Sequence, residues 1–280
     1  MAAMAAFTGM SVCIRFASAE LHPFQIVFFR NLLVLALMAP FFRRLDLSAL
    51  RRPDFPWRLY TLRSVFGTVG MICGFWAVIV MPLADVTALS FTMPLFATVG
   101  AALFLGETVR ARRWTAIIVG FLGAMLVLRP DLSGLDAGAG LALTNALMIA
   151  ASALVLKRLA HREPAERIVF LVSAIIAILS LAPALFVWRW PSWEIWFVLV
   201  ALAGVASLGH LAFVRALFLA DLTVVMPWEF TRLPMMVLVA MLVFGETPSV
   251  WALAGGAVIF ASTFYIVQRE AQLARRPESR

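Results

Sequence analysis

The sequence predicts an all-α, polytopic membrane protein of ten transmembrane helices, arranged as two inverted five-helix repeats. Three observations predict it. Hydrophobic residues make up 63% of the 280 residues and charged ones 14%, where soluble domains carry about 25% charged residues. Ten apolar runs, each near spanning length, are marked off by charges, prolines and glycines: 1–19, 23–42, 57–80, 83–105, 114–129, 138–157, 168–188, 194–217, 221–244 and 250–267. One phrase also occurs twice. Phe91-Thr92-Met93-Pro94 runs to Gly106-Glu107-Thr108, and Phe230-Thr231-Arg232-Leu233-Pro234 runs to Gly245-Glu246-Thr247, each followed by a Trp (Trp114, Trp251). Duplicated membrane halves are a common build of transporters.

Taken in order, run 1–19 has no basic n-region and reads as the first transmembrane helix rather than a signal peptide. Arg15, near its outer end, is expected to snorkel to the headgroups. Run 23–42 holds Arg30 beside Asn31, deeper in the span, where an ionised group needs a protein partner. In run 57–80, Gly67, Gly70 and Gly74 form a small-residue stripe for close helix packing, as do Gly120 and Gly123 in run 114–129. Trp76 suits either an interface anchor or a cavity wall. Run 83–105 places Thr87, Phe91, Pro94 and Thr98 on one helix face, and Pro94 frees the carbonyl of Ser90. That face is either a polar seam between packed helices or one wall of a cavity. His210, alone in run 194–217, either lines the cavity or bonds to another helix.

Run 221–244 is the most unusual, with Pro227, Trp228, Glu229, Arg232 and Pro234 inside an apolar stretch. An ionised residue at mid-membrane costs roughly 2.5–3.5 kcal/mol. Glu229 and Arg232 share a face. They either neutralise each other or face a water-filled cavity and grip a zwitterion, with Arg232 on a carboxylate and Glu229 on an ammonium. Pro227 and Pro234 free the carbonyls of Thr223 and Phe230, and freed carbonyls at membrane depth belong beside protein or a cavity. Glu107 and Glu246 follow glycines at turns, where a carboxylate suits the free N–H groups of the next helix.

Basic residues gather in alternate connections (43–58, 106–113, 157–167) and in the tail. The positive-inside rule then puts both termini in the cytoplasm, the first Gly-Glu-Thr at a cytoplasmic turn and the second outside. The chain divides into a first repeat at 1–130, a second, inverted repeat at 138–268 and a basic cytoplasmic tail at 269–280. The net charge of +8 is therefore a feature of loops rather than of a nucleic-acid surface. Cys13 and Cys73 sit in apolar runs as small hydrophobes; the sequence has neither metal-ligand spacing nor a disulfide framework, and no cofactor is expected. No cluster of carboxylates with Arg, Ser or His suggests an enzyme acting on lipid phosphates.

Phe28-Phe29-Arg30-Asn31-Leu32-Leu33, Pro94-Leu95-Phe96 through Leu103-Phe104-Leu105-Gly106-Glu107, and Val243-Phe244-Gly245-Glu246 resemble the drug/metabolite transporter superfamily, specifically its EamA-type members. The resemblance implies a basket-like bundle whose third, fourth, eighth and ninth helices line a central cavity. Trp76, Phe91, His210, Trp228, Glu229 and Arg232 would then border it, with Thr87 and Ser90 as further candidates. It also implies a bacterial inner-membrane carrier that works as a monomer by alternating access. The overall look is similar to YddG-type exporters of amino acids, including aromatic ones. It is also similar to S-adenosylmethionine carriers, so uptake of that metabolite or a related one is the alternative reading.

Overall fold

The computed structural model describes residues 2–42, 50–104, 111–128, 137–160, 162–219 and 231–274. The described residues form eleven helices: α1 (Ala2–Ala17), α2 (Pro23–Phe42), α3 (Trp57–Val80), α4 (Leu83–Ser90), α5 (Met93–Phe104), α6 (Ala111–Leu128), α7 (Ala137–Ala160), α8 (Ala165–Phe186), α9 (Trp193–Leu219), α10 (Arg232–Phe244) and α11 (Val250–Ala274). α4 and α5 divide the fourth span, and each of the ten apolar runs contains a described helix, four of the described helical stretches being long and apolar enough to cross a membrane. Their outward faces carry large exposed apolar side chains such as Leu103, Ile118, Leu122, Ile178 and Leu242, which is what a lipid-facing helix requires.

The division of the fourth span departs from the single helix expected over 83–105. Pro94 has no N–H to donate to Ser90 O, and the chain tightens just before it. Phe91 N–H donates to Ala88 O at 3.2 Å and Thr92 N–H to Leu89 O at 3.0 Å. The hydroxyls of Ser90 and Thr92 also turn back on the carbonyls of Thr87 and Leu89, at 2.7 Å each. This is a break satisfied by short-range bonds, as membrane depth demands. The Gly-Glu turn after α10 is built as its sequence suggests: Gly245 takes φ +66°, and Glu246 N–H closes on Ala240 O at 3.0 Å.

Helices of one half pack chiefly against helices of the other. α3 lies along α7 and α1 along α9, while α2 pairs with α8 and α6 with α11. Exchanging the first span with the sixth, the second with the seventh, and so on, maps this set of pairs onto itself. A half with an odd number of spans enters and leaves on opposite sides, so two such halves run in opposite senses. The glycine stripes make these contacts close. Gly67, Gly70 and Gly74 of α3 receive side chains of α7 and α8, and a Cβ on Gly123 would lie 3.0 Å from the backbone oxygen of Gly255 in α11.

Candidate functional site

The break between α4 and α5 opens onto a cavity of about 350 Å³ at the centre of the bundle, within the range of small-molecule sites. Its walls come from both halves: α1, α2, α3 and the α4–α5 break on one side, α7, α10 and α11 on the other. α1, α2, α7 and α11 therefore contribute beside the third, fourth and ninth spans. Phe7, Phe75, Phe91 and Phe264 supply aromatic surface; Ser11, Ser90, Asn145 and Thr263 supply polar groups; Arg30 and Arg232 supply charge. Among the described lining residues there is no carboxylate.

Arg30 is 7% exposed. Its Nη1 donates to Met71 Sδ at 3.3 Å and, at the limit of bonding distance, to Asn31 Oδ1 at 3.5 Å, while its Nε has no hydrogen-bond partner among the described residues. Asn31 is fixed in turn by donating to Val27 O at 2.8 Å. The partner expected for Arg30 is thus a thioether and an amide rather than an acid. A guanidinium with so weak a set of protein acceptors is suited to receive one from a solute.

Of the residues expected at the site, Ser90, Phe91 and Arg232 border the cavity. Thr87 does not: it is 2% exposed, and its hydroxyl donates to Leu83 O at 2.8 Å within α4. Trp76 lies in another place, a cleft of about 790 Å³ formed by the segment before α2, the end of α3 and the segment after α8. There its ring meets the edge of His22 at 5.2 Å. The backbone of His210 belongs to α9, but its side chain, like Trp228 and Glu229 entirely, lies outside the described residues. The sequence marks Arg30 as an ion needing a partner but does not mark Asn145 as a site residue. The available signal for Asn145 was a lone carboxamide in the apolar run 138–157.

The outer cleft is polar at its rim. Glu20 accepts from Ser192 N–H at 3.0 Å and from its hydroxyl at 2.8 Å, and these bonds lower its carboxyl below the usual range. Partial burial likewise lowers His22.

Beside the cleft a second expectation is overturned. Arg15 does not reach for headgroups; it pairs with Glu246 at 2.7 Å and donates to Val78 O and Met81 O at 2.8 and 3.0 Å. Two carbonyls at the end of α3 and a carboxylate give the guanidinium a full set of acceptors within the protein, so it has no need of headgroups. Glu246 also departs from expectation. Its other oxygen accepts from Leu83 N–H at 2.9 Å, capping α4 of the opposite half rather than the helix that follows it. Glu107 lies outside the described residues.

With this geometry in view, the likeness to known proteins is specific. The model of the EamA-like transporter family matches residues 1–129 and again 136–268, so the chain belongs to that family, within the drug/metabolite transporter superfamily. A riboflavin transporter of Vibrio cholerae is 32% identical, covering 87% of this chain and 82% of the relative. An S-adenosylmethionine uptake transporter of Rickettsia conorii is 26% identical over 94% of this chain and 88% of the relative. The pseudopaline exporter CntI of Pseudomonas aeruginosa is 29% identical over 90% and 89%. The family and these relatives identify a multi-pass membrane transporter of small metabolites.

Proposed function

We propose that this EamA-family transporter carries a flat metabolite whose ring edge bears hydrogen-bond acceptors, with riboflavin the first compound to test. One observation carries the reading: Arg30, with only a thioether and an amide as acceptors among the described residues, meets aromatic surface in a cavity with no carboxylate among its described lining residues. Guanidinium groups donate and never accept, so they favour carbonyl, carboxylate or ring-nitrogen edges. Phe75, Phe91 and Phe264 offer faces for a flat ring. The likeness to a riboflavin transporter points the same way. The Arg30 guanidinium, held by a thioether and an amide, suits a sulfonium cation poorly, which weighs against S-adenosylmethionine. Export of an aromatic amino acid is the second reading. Its carboxylate would fit the arginines, and its ammonium would call on Glu229, the acid that the sequence singles out.

Flux into proteoliposomes of labelled riboflavin, tryptophan and S-adenosylmethionine, with and without a pH gradient, tests this. Saturable riboflavin flux is expected. Flux of tryptophan alone favours the second reading, and flux of S-adenosylmethionine alone overturns both.

Both repeats contribute walls to one cavity, so a single chain is the working unit and alternating access the mechanism, with both termini cytoplasmic. The Arg15–Glu246 pair would then seal the external end and open in the outward-facing state. Cysteines placed at Ala111 and Ser249 are expected to react with impermeant reagent from the cytoplasmic and external sides respectively. Labelling of Ser249→Cys only from the cytoplasm contradicts the orientation.

A further inference from the structure

We infer that Asn145 is a specificity-determining residue, seated in the recess left by Gly74 so that its carboxamide reads an edge carrying both a donor and an acceptor. The inference rests on the flat-ring reading above and narrows it to rings with an imide or amide edge.

Three observations carry it. Asn145 lines the cavity and makes no hydrogen bond among the described residues. A carboxamide inside a membrane bundle is costly to leave without partners, so its bonds go to what enters the cavity, water or solute. Its place also depends on a missing side chain. A Cβ on Gly74 would collide first with Asn145 Nδ2 and would lie 2.8 Å from its Cγ, both closer than real Cβ atoms approach, and 3.2 Å from its Oδ1. Finally, Arg30 is held one helical turn away, since its Nη1 donates to Met71 Sδ at 3.3 Å and Met71 and Gly74 share a face of α3.

The chemistry follows from the two groups. Arg30 offers donors alone and is satisfied by any acceptor. Asn145 offers an acceptor and a donor side by side. A carboxylate uses only the donor and leaves the amide oxygen unmatched. An edge of alternating C=O and N–H uses both, with a further carbonyl available to Arg30. The pyrimidinedione edge of the isoalloxazine ring has this pattern, and methylation at N3 removes its donor.

The test compares proteoliposome uptake of riboflavin and N3-methylriboflavin by the wild type, Asn145→Ala and Gly74→Ala, with abundance of each variant measured. The wild type is expected to prefer riboflavin by about tenfold, the scale of one matched hydrogen bond. Both variants are expected to bring that ratio close to one. Gly74→Ala does so with Asn145 still present, by displacing the amide. A ratio unchanged in both variants, or an equal loss of both flavins at normal abundance, overturns the inference while leaving the flavin reading intact. If the wild type takes up neither flavin, the flavin reading falls and the inference falls with it.

Discussion

Replacing Arg30 by methionine is expected to lower flux of the physiological substrate about 100-fold or more while leaving the protein as stable as before, or more so. The two effects have one cause. An ionised side chain in a transmembrane helix costs roughly 2.5–3.5 kcal/mol on insertion scales. Around Arg30 the described residues return little of it: a thioether at 3.3 Å, an amide at 3.5 Å and nothing at Nε. Methionine keeps the length and packs against Met71 without that cost. A group retained at the expense of stability belongs to function, and a solute acceptor completes its bonding. Arg30→Lys is expected to recover only part of the flux, because an ammonium keeps the charge but not the planar fork. Thermal midpoints in detergent, measured beside flux, check both halves of the prediction. Normal flux in Arg30→Met would show that Arg30 does not serve transport, and a collapse in its stability with no protein recovered would show it to be structural.

The second large effect is expected at Glu246, whose carboxylate does two tasks. One oxygen pairs with Arg15 at 2.7 Å, and the other caps α4 through Leu83 N–H at 2.9 Å. The Arg15 and Glu246 side chains are 22% and 19% exposed, so the pair is worth less than a fully buried one, but without it Arg15 would keep, among the described residues, two carbonyls and the face of Phe244. Glu246→Ala removes the ion pair and the cap together and is expected to cost about 2–3 kcal/mol. Glu246→Gln keeps an acceptor for Leu83 N–H and is expected to cost about half as much. Denaturation of both variants, and of each combined with Arg15→Gln, gives the coupling between the two residues. Additive effects would mean that the pair contributes nothing beyond its separate bonds.

Much of the fold is legible in the sequence because its causes are local. Apolar runs of spanning length fix the helices and Gly245 supplies the left-handed residue that ends α10, whereas the run 83–105 reads as one helix and hides the break before Pro94. The glycines of α3 and α6 announce close packing before any partner is known. The site is less legible because its geometry depends on which helices face each other. Thr87 lies on the same helix face as Phe91, yet its hydroxyl is spent on its own backbone. Trp76 sits in a span that lines the cavity through Phe75 and Val78, but it lies on another face of that helix with Ile79 and so joins His22 in the outer cleft. Arg15 looked like a headgroup anchor because its partner, Glu246, lies 231 positions away in the other half. Asn145 had no charge to draw attention. Only the packing of α7 against α3 brings it to the cavity beside Gly74.

The most direct test of the central cavity as the binding site is an equilibrium titration of riboflavin against purified wild type, Arg30→Met and Trp76→Ala. Arg30 lines the central cavity and Trp76 the outer cleft, so the two variants separate the two places. Saturable binding is expected in the wild type and in Trp76→Ala, with loss of binding in Arg30→Met at unchanged thermal stability. Binding that survives in Arg30→Met and disappears in Trp76→Ala would contradict the assignment and move the site to the outer cleft.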